Sequence, residues 1–349
     1  MSRVLLIGGA GFIGSHLVEA LLRQGHGVRV LDNLSTGKKE NLEEATGYGV
    51  QNIGGHEPTS SFFPLGDRLE FLFGDISDLE TCRQACQGIS YVFHHAALVS
   101  VQRSLEDPIR CHQANATGTL NILQAARETG VKRVIYASSS SVYGNITASA
   151  ESSVAKNEDL PLLPQSPYAA TKLLGENYCR IFSDLFGLET VSLRYFNVFG
   201  PRQNPRSVYS AVIPKFIMAL LTGNSPIIYG DGNQSRDFTY VDNVVQANLL
   251  AMETSGISGE VFNIACGQQS TVNDLLSYLQ EISGRKILPR YDKPRSGEVR
   301  HSLAAIGLAR SRLGYETKTA LKEGLWNTWK WFQNRIGKMD LCPAESVEH

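Results

Sequence analysis

The chain has 349 residues, a net charge of −1, 42% hydrophobic and 19% charged residues, a globular balance that excludes a disordered chain. No basic field favours nucleic acid or an anionic membrane, so any anionic ligand must be met by locally placed arginines and backbone amides. No apolar run reaches ~18 residues and Met1-Ser2-Arg3 is too short a lead into Val4–Ile7 for a signal segment, so no membrane association is expected.

Cys82, Cys86, Cys111, Cys179, Cys266 and Cys342 form no CxxC pair and lack a histidine pair to complete a zinc set. That pattern predicts reduced thiols in a cytoplasmic protein and no metal site.

Val4–Ile7 is a continuous aliphatic run, as expected of a strand buried on both faces. Gly8-Gly9-Ala10-Gly11-Phe12-Ile13-Gly14 follows, and Ser15–Gln24 places Leu17, Leu21 and Leu22 at helical spacing. In a strand–turn–helix context, Gly8, Gly11 and Gly14 let the backbone approach a pyrophosphate seated at the helix N-terminus. The next strand, Gly27–Leu31, ends in Asp32 and Asn33. An acidic side chain there accepts hydrogen bonds from ribose hydroxyls and repels a 2′-phosphate, which predicts NAD(H) over NADP(H).

Periodicity disappears from Glu44 to Asp67, and a loop longer than ~15 residues is usually functional or mobile. It returns with a strand at Leu69–Phe73, whose end at Gly74-Asp75-Ile76 is placed to approach an adenine. A short helix at Leu79–Cys86 leads to a strand at Tyr91–His94, and the small residues of His95-Ala96-Ala97 suit a backbone lying against a cofactor. Helix over Asp107–Thr129 and strand over Arg133–Ala137 continue the alternation, which specifies a doubly wound parallel sheet with ligands at the strand C-termini. Ser138-Ser139-Ser140-Ser141 then puts hydroxyls where such a sheet reads its ligand, although in isolation the run also suits a solvated turn.

Gln165–Lys172 reads as the first turn of a helix, with Ser166 as N-cap and Pro167 at the first helical position. Tyr168 and Lys172, four residues apart, leave one face of it. A free tyrosine titrates near pH ~10, and an ammonium one turn away favours the phenolate. Taken alone the pair is more often an aromatic packed beside a snorkelling lysine.

Beyond it, strands are expected at Thr190–Tyr195, Ile227–Tyr229, Ser235–Tyr240 and Val261–Ala265, and helices at Ala211–Leu221, Asp242–Thr254 and Thr271–Ser283. The expected division is a dinucleotide-binding domain (1–196 plus 238–262), a smaller C-terminal α/β substrate domain (197–237 plus 263–337) and a tail (338–349).

Taken in order, GxxGxxG, Asp32, Asp75, the serines before Val142-Tyr143-Gly144, Tyr168-x-x-x-Lys172, Arg194-Tyr195-Phe196-Asn197 and Arg236-Asp237-Phe238 form one set. On these residues the chain resembles, over nearly its whole length, the extended short-chain dehydrogenases/reductases that act on nucleotide sugars. The resemblance implies a Rossmann-type domain that holds NAD through Gly8, Gly11, Phe12, Ile13, Gly14, Asp32, Asn33, Asp75, Ile76, Ala96, Ala97, Tyr168, Lys172 and Tyr195. It also implies that Ser139, Tyr168 and Lys172 are catalytic.

Sugar 4,6-dehydratases of this family carry Asp-Glu before the Tyr-Gly pair, and related decarboxylases keep a glutamate two places before the tyrosine. Ser140 and Ser141 stand there instead. Without an extra acid or base, reversible oxidation at one carbon remains, as in the 4-epimerases. The implied substrate contacts are Ser100, Ser139, Ser140, Ser141, Asn197, Val212, Arg236, Arg295 and Ser302, the two arginines gripping the diphosphate with their forked donors.

Ala97-Leu98-Val99-Ser100-Val101, Ala211-Val212-Ile213-Pro214-Lys215 and Val299-Arg300-His301-Ser302-Leu303 resemble epimerases that accept N-acetylated hexosamines. Galactose-type enzymes can have a tyrosine at the position of Ser302, and a small side chain there leaves room for the acetamido group. The resemblance thus implies UDP-N-acetylglucosamine 4-epimerisation through a 4-keto sugar, with tightly bound NAD, in a homodimer built on helices Asp107–Thr129 and Tyr168–Gly187. UDP-glucose/UDP-galactose or UDP-uronic acid are the alternative substrates, and a nonenzymatic NAD-binding protein on the same fold is the alternative class.

Overall fold

The computed structural model describes residues 1–49, 62–145, 155–205, 211–294 and 300–336. Strands Arg3–Ile7 (β1), Gly27–Asp32 (β2), Phe62–Pro64 (β3), Leu69–Phe73 (β4), Tyr91–His94 (β5), Arg133–Ser139 (β6) and Glu189–Tyr195 (β7) alternate with helices. Those helices are Phe12–Arg23 (α1), Lys39–Thr46 (α2), Leu79–Cys86 (α3), Val101–Glu106 (α4), Pro108–His112 (α5), Gly118–Glu128 (α6) and Pro167–Phe186 (α7). The short strands Val198–Phe199 (β8), Ile227–Tyr229 (β9), Ser235–Arg236 (β10) and Thr239–Tyr240 (β11) follow, then Val261–Ile264 (β12), Ser270–Thr271 (β13), Arg290–Asp292 (β14) and His301–Ser302 (β15). Their helices are Val212–Thr222 (α8), Val241–Glu253 (α9), Val272–Ser283 (α10) and Leu321–Gln333 (α11).

One eight-stranded sheet has the order β12-β7-β6-β5-β1-β2-β4-β3. Every pairing in it is parallel except that of β3 with β4. Val4, Leu5, Leu6 and Ile7 are all fully buried, which requires cover on both faces of the sheet. Val4 and Leu6 meet Leu17, Leu21 and Ala247 of α1 and α9 on one side, while Leu5 and Ile7 meet Cys82, Ile122 and Phe182 of α3, α6 and α7 on the other. Parallel pairing brings the strand C-termini together: Ile7 lies opposite both Leu31 and His94, and Ser139 opposite Tyr195. This is the expected doubly wound sheet.

The second lobe is built from three small sheets, β13-β10-β15, β11-β8 and β14-β9, around a core of Phe216, Leu279, Trp329 and Phe332. The expected strand Ser235–Tyr240 breaks at Asp237, with β10 pairing in one sheet and β11 in another. Asp237 is fully buried and turns inward, accepting from the amides of Cys266 (2.9 Å), Gly267 (3.0 Å) and Ala304 (3.3 Å). A buried acceptor answering three distant amides overrides strand continuity.

Helices α2 and α11 were not expected from the sequence, and the irregular stretch 44–67 contains the end of α2 and all of β3. The boundary expected at 262/263 falls within β12, all four residues of which pair with β7. Arg295 and the expected tail lie outside the described residues. Among the described residues no helix is long and apolar enough to cross a membrane.

Asp237→Asn puts an amide group where the carboxylate accepts these bonds. Urea unfolding should show a loss of about 1–3 kcal/mol, the cost of leaving buried partners unsatisfied.

Candidate active site

The helix that carries Tyr168 is fixed at its start. Ser166 Oγ accepts from the Ala169 amide at 3.1 Å and Pro167 takes the first turn, as expected. Tyr168, Lys172 and Glu176 then recur every fourth residue of α7 and form one buried stripe against the sheet. Opposite them β6 ends at Ser138-Ser139 and the chain tightens into a 3₁₀ turn, Ser140–Tyr143, capped by Ser139 Oγ accepting from the Ser141 amide at 3.2 Å.

Glu176 and Arg194 hold helix and strand together. The Arg194 guanidinium donates to both carboxylate oxygens of Glu176, at 2.9 and 2.8 Å, with both side chains buried. Ser138 donates to the same carboxylate at 2.5 Å. Arg194 also donates to the Tyr143 hydroxyl at 2.8 Å, which in turn donates to Asn263 Oδ1 of β12 at 2.8 Å.

Burial governs the ionisation of the centre. It pushes the Tyr168 phenol up to about 12, and the hydrogen bond with Ser139 pulls the other way. The Lys172 ammonium is pushed down to about 8, again by burial, and donates to the Ala137 carbonyl at 2.7 Å. The expectation that Lys172 would favour the phenolate is therefore corrected: burial prevails, and the ammonium is directed at the end of β6.

A cavity of about 510 Å³ runs along the strand ends. It brings together Gly8, Gly11, Phe12, Ile13, Gly14, Asp32, Asn33, Asp75, Ile76, Ala96, Ala97, Ser139, Ser140, Tyr168, Lys172, Tyr195 and Asn197. A second cavity of about 280 Å³ shares Asn197 and adds Val212 and Arg236 with aromatic walls from Phe199, Phe216, Tyr229 and Phe238.

Three expected residues stand apart from both cavities. Ser100 caps α4 by accepting from the Arg103 amide, Ser141 is half-buried with its hydroxyl unpartnered among the described residues, and Ser302 is buried on β15 opposite Arg236. A strand alternates its faces, so proximity to the serine or arginine motif in sequence does not bring each neighbour to the cavity wall.

The residues at one end of the larger cavity fit a dinucleotide. A Cβ on Gly14 would lie 2.1 Å from the Gly8 carbonyl oxygen, so the turn closes only with glycine there. Gly8 itself has φ +81°, a backbone that side chains rarely adopt. No side chain caps α1, which leaves its first amides to meet a pyrophosphate. Asp32 is held by the amides of Ala10 (2.9 Å) and Leu34 (2.8 Å), and burial raises its pKa. Asn33 donates to Asp75 at 2.7 Å, tying the two strand ends on which the adenosine half would rest.

Other site residues escaped the sequence reading. Asn115 sits in a π-helical turn, Gln113–Thr117, between α5 and α6. Its amide accepts from the Leu98 amide at 2.7 Å and donates to Thr171 at 3.1 Å, linking the loop after β5 to the Tyr168 helix. A lone amide in the helix between Ala114 and Ala116 was the available signal. His95 lines the cavity, stacked on Tyr195 with ring centroids 5.9 Å apart and bonded to Asn248 at 3.1 Å. Burial pushes it down to about 4, so it is neutral. Glu176, one turn beyond Lys172, could have been read from its spacing.

A Rossmann-type sheet whose dinucleotide cleft ends on a serine, a tyrosine and a lysine defines a nicotinamide-dependent centre. The chain belongs to the NAD dependent epimerase/dehydratase family, which matches residues 4–265, and its cofactor is NAD. A UDP-glucose 4-epimerase of Mycolicibacterium smegmatis is 37% identical over 335 residues, covering 95% of this chain and 99% of that one. The solved UDP-N-acetylglucosamine 4-epimerase from Methanobrevibacter ruminantium, in complex with UDP-N-acetylmuramic acid, matches with a TM-score of 0.84 and 38% identity over 97% of this chain and 99% of that one. The UDP-glucuronic acid 4-epimerase from Bacillus cereus, in complex with UDP-glucuronic acid and NAD, matches with a TM-score of 0.82 and 33% identity over 95% and 99%.

Lys172 carries a testable pH signature. Its ordinary value of 10.5 falls to about 8 in the folded chain. Between those values the unfolded chain keeps a proton that the folded chain has released, so this group makes stability rise with pH across the window. Lys172→Met removes the slope. In unfolding titrations from about pH 8 to 10.5, the parent protein should gain stability relative to the variant, whereas parallel curves would assign the residue an ordinary pKa.

Proposed function

We propose that this chain is an NAD-dependent UDP-sugar 4-epimerase whose preferred pair is UDP-N-acetylglucosamine and UDP-N-acetylgalactosamine. The observation that carries the reaction type is the pairing of Ser139, Tyr168 and Lys172 at one end of the dinucleotide cleft with serines at positions 140 and 141. Gly8–Gly14 would hold the pyrophosphate of NAD, Asp32 the adenosine ribose and Lys172 the nicotinamide ribose. Bound NAD supplies a hydride acceptor at C4 of the sugar that later returns the hydride, so there is no net oxidation.

Tyr168, as phenolate, takes the proton of the sugar 4-hydroxyl at its phenol oxygen and later gives it back, while Ser139 hydrogen-bonds the same sugar oxygen. Neither Ser140 nor Ser141 offers a carboxylate to drive loss of water, so the 4-keto sugar turns over in the cleft and is reduced on its other face. The smaller cavity suits the nucleotide: its aromatic walls would receive the base, with Arg236 and Asn197 at the diphosphate.

Preference for the acetylated sugars is supported by the Methanobrevibacter ruminantium enzyme, whereas Ser302, off the wall of both cavities, does not bear on it. The M. smegmatis relative favours UDP-glucose as the second reading. We read the enzyme as a cytoplasmic homodimer: the five described cysteines are unpaired, and Ile109, Leu120, Ile181 and Leu185 are exposed on α5, α6 and α7.

Tyr168→Phe should still bind NAD and UDP-sugar yet lose ~10²-fold or more in turnover; near-parental turnover would remove Tyr168 from the mechanism. For the sugar, epimerisation of UDP-N-acetylglucosamine and UDP-glucose is followed separately without added NAD. Faster epimerisation of UDP-N-acetylglucosamine is expected, and faster epimerisation of UDP-glucose would favour the second reading.

A further inference from the structure

Lys156 is a buried cation that the proposed reaction leaves unexplained. Its side chain is enclosed (5% exposed), and among the described residues no carboxylate lies within ion-pairing distance. The charged group that acts on it is Arg236, of the same sign. Desolvating an ammonium without an anionic partner is costly, and an apolar side chain of similar length would fill the same space without that penalty. Such a charge calls for a role that only an ammonium performs.

Its contacts point to one. Lys156 Nζ donates to the Gly144 carbonyl at 3.2 Å and stands 5.6 Å from the Tyr143 ring centroid. Gly144 closes the 3₁₀ turn opened by Ser139: its amide donates to the Ser141 carbonyl at 3.2 Å, as the Ser141 amide donates to Ser139 Oγ at the other end. Gly144 has φ +61°, and a Cβ there would strike the Leu163 carbonyl at 2.0 Å, so this end of the turn has no spare volume.

The Lys156 backbone grips the other lobe. Its amide donates to Leu303 at 2.8 Å, and its carbonyl accepts from Ala305 at 2.8 Å and from Asn263 Nδ2 at 2.9 Å. Leu303 directly follows β15, where Ser302 pairs with Arg236 of β10. One residue thus bridges the serine turn, the edge of the large sheet and the strand pair that carries Arg236.

We propose that Lys156 is a positioning residue for the reaction, setting the serine turn relative to the substrate lobe so that Ser139 meets an oxygen of a sugar anchored at Arg236. The inference rests on the reading that Ser139 takes part in the chemistry. Lys156 lines neither cavity, so it acts through the turn: it affects the chemical step and leaves ground-state binding alone. Its charge serves position at the expense of stability.

The test compares Lys156→Met, Lys156→Gln and Ser139→Ala in the full chain, measuring kcat, KM and Tm with UDP-N-acetylglucosamine and with UDP-glucose. Lys156→Met should lower kcat about ten-fold or more on both sugars, as misplacement of a reacting group does. KM should stay within about two-fold, and Tm should match or exceed that of the parent protein because a buried unpaired charge is gone. Lys156→Gln, which keeps an N–H donor, should recover part of kcat, and it carries the same comparison if the methionine variant does not fold. Parental kcat in the Lys156 variants, or a fall in kcat that comes only with a fall in Tm, would overturn the proposal. A parental Ser139→Ala would overturn the reading of the turn itself, whereas a slow Ser139→Ala beside a parental Lys156→Met would sink this inference alone.

Discussion

The buried ion pair between Glu176 and Arg194 fixes the geometry on which the rest of the site depends. It joins α7 to β7, and the same two side chains reach Ser138 on β6 and the Tyr143 hydroxyl at the end of the serine turn. Lys172 and Tyr168 lie one and two turns before Glu176 on the same stripe, so the bidentate contact sets the rotation and height of that stripe against the strand ends. Removing one partner of such a pair leaves an uncompensated buried charge, with a cost on the order of 3–5 kcal/mol. This anchor is remote from the reacting atoms and still determines where they stand.

Desolvation has a second effect around the cleft. Burial raises the Tyr168 pKa, lowers that of the Lys172 ammonium and keeps His95 neutral. Under the proposed reaction, a reacting end where burial disfavours charge suits a sugar that must let go and turn over. Firm grip is better placed at a distance, and Arg236 lies in the neighbouring cavity, which meets the first at Asn197. Under the proposed reaction the two cavities divide the work: strong holding in one, weak holding and proton transfer in the other.

Much of this was legible in the sequence because it depends on local pattern. Buried parallel strands read as aliphatic runs, the glycine turn has a fixed place between strand and helix, and Tyr168 and Lys172 share a face by spacing alone. What escaped was decided at long range. Asp237 breaks an otherwise plausible strand because its acceptors are wanted by amides of Cys266, Gly267 and Ala304. Ser302 belongs to the arginine strand's neighbour and not to the cavity wall, a matter of pleat and register that one strand cannot reveal. The upward shift of the Tyr168 pKa was missed for a similar reason: spacing announces the lysine, whereas burial is a property of the assembled fold.

Strand β12 closes the large sheet at its edge but is the last of that sheet's strands to be made, long after β7, with which it pairs. During synthesis the first seven strands emerge with one edge open, and the smaller lobe's α8 and β9 to β11 appear before that edge is covered. Asn263, which holds both Tyr143 and the Lys156 carbonyl, arrives only with this strand. The nascent chain can therefore shape its dinucleotide cleft early, but the serine turn gains its support only once β12 has left the ribosome.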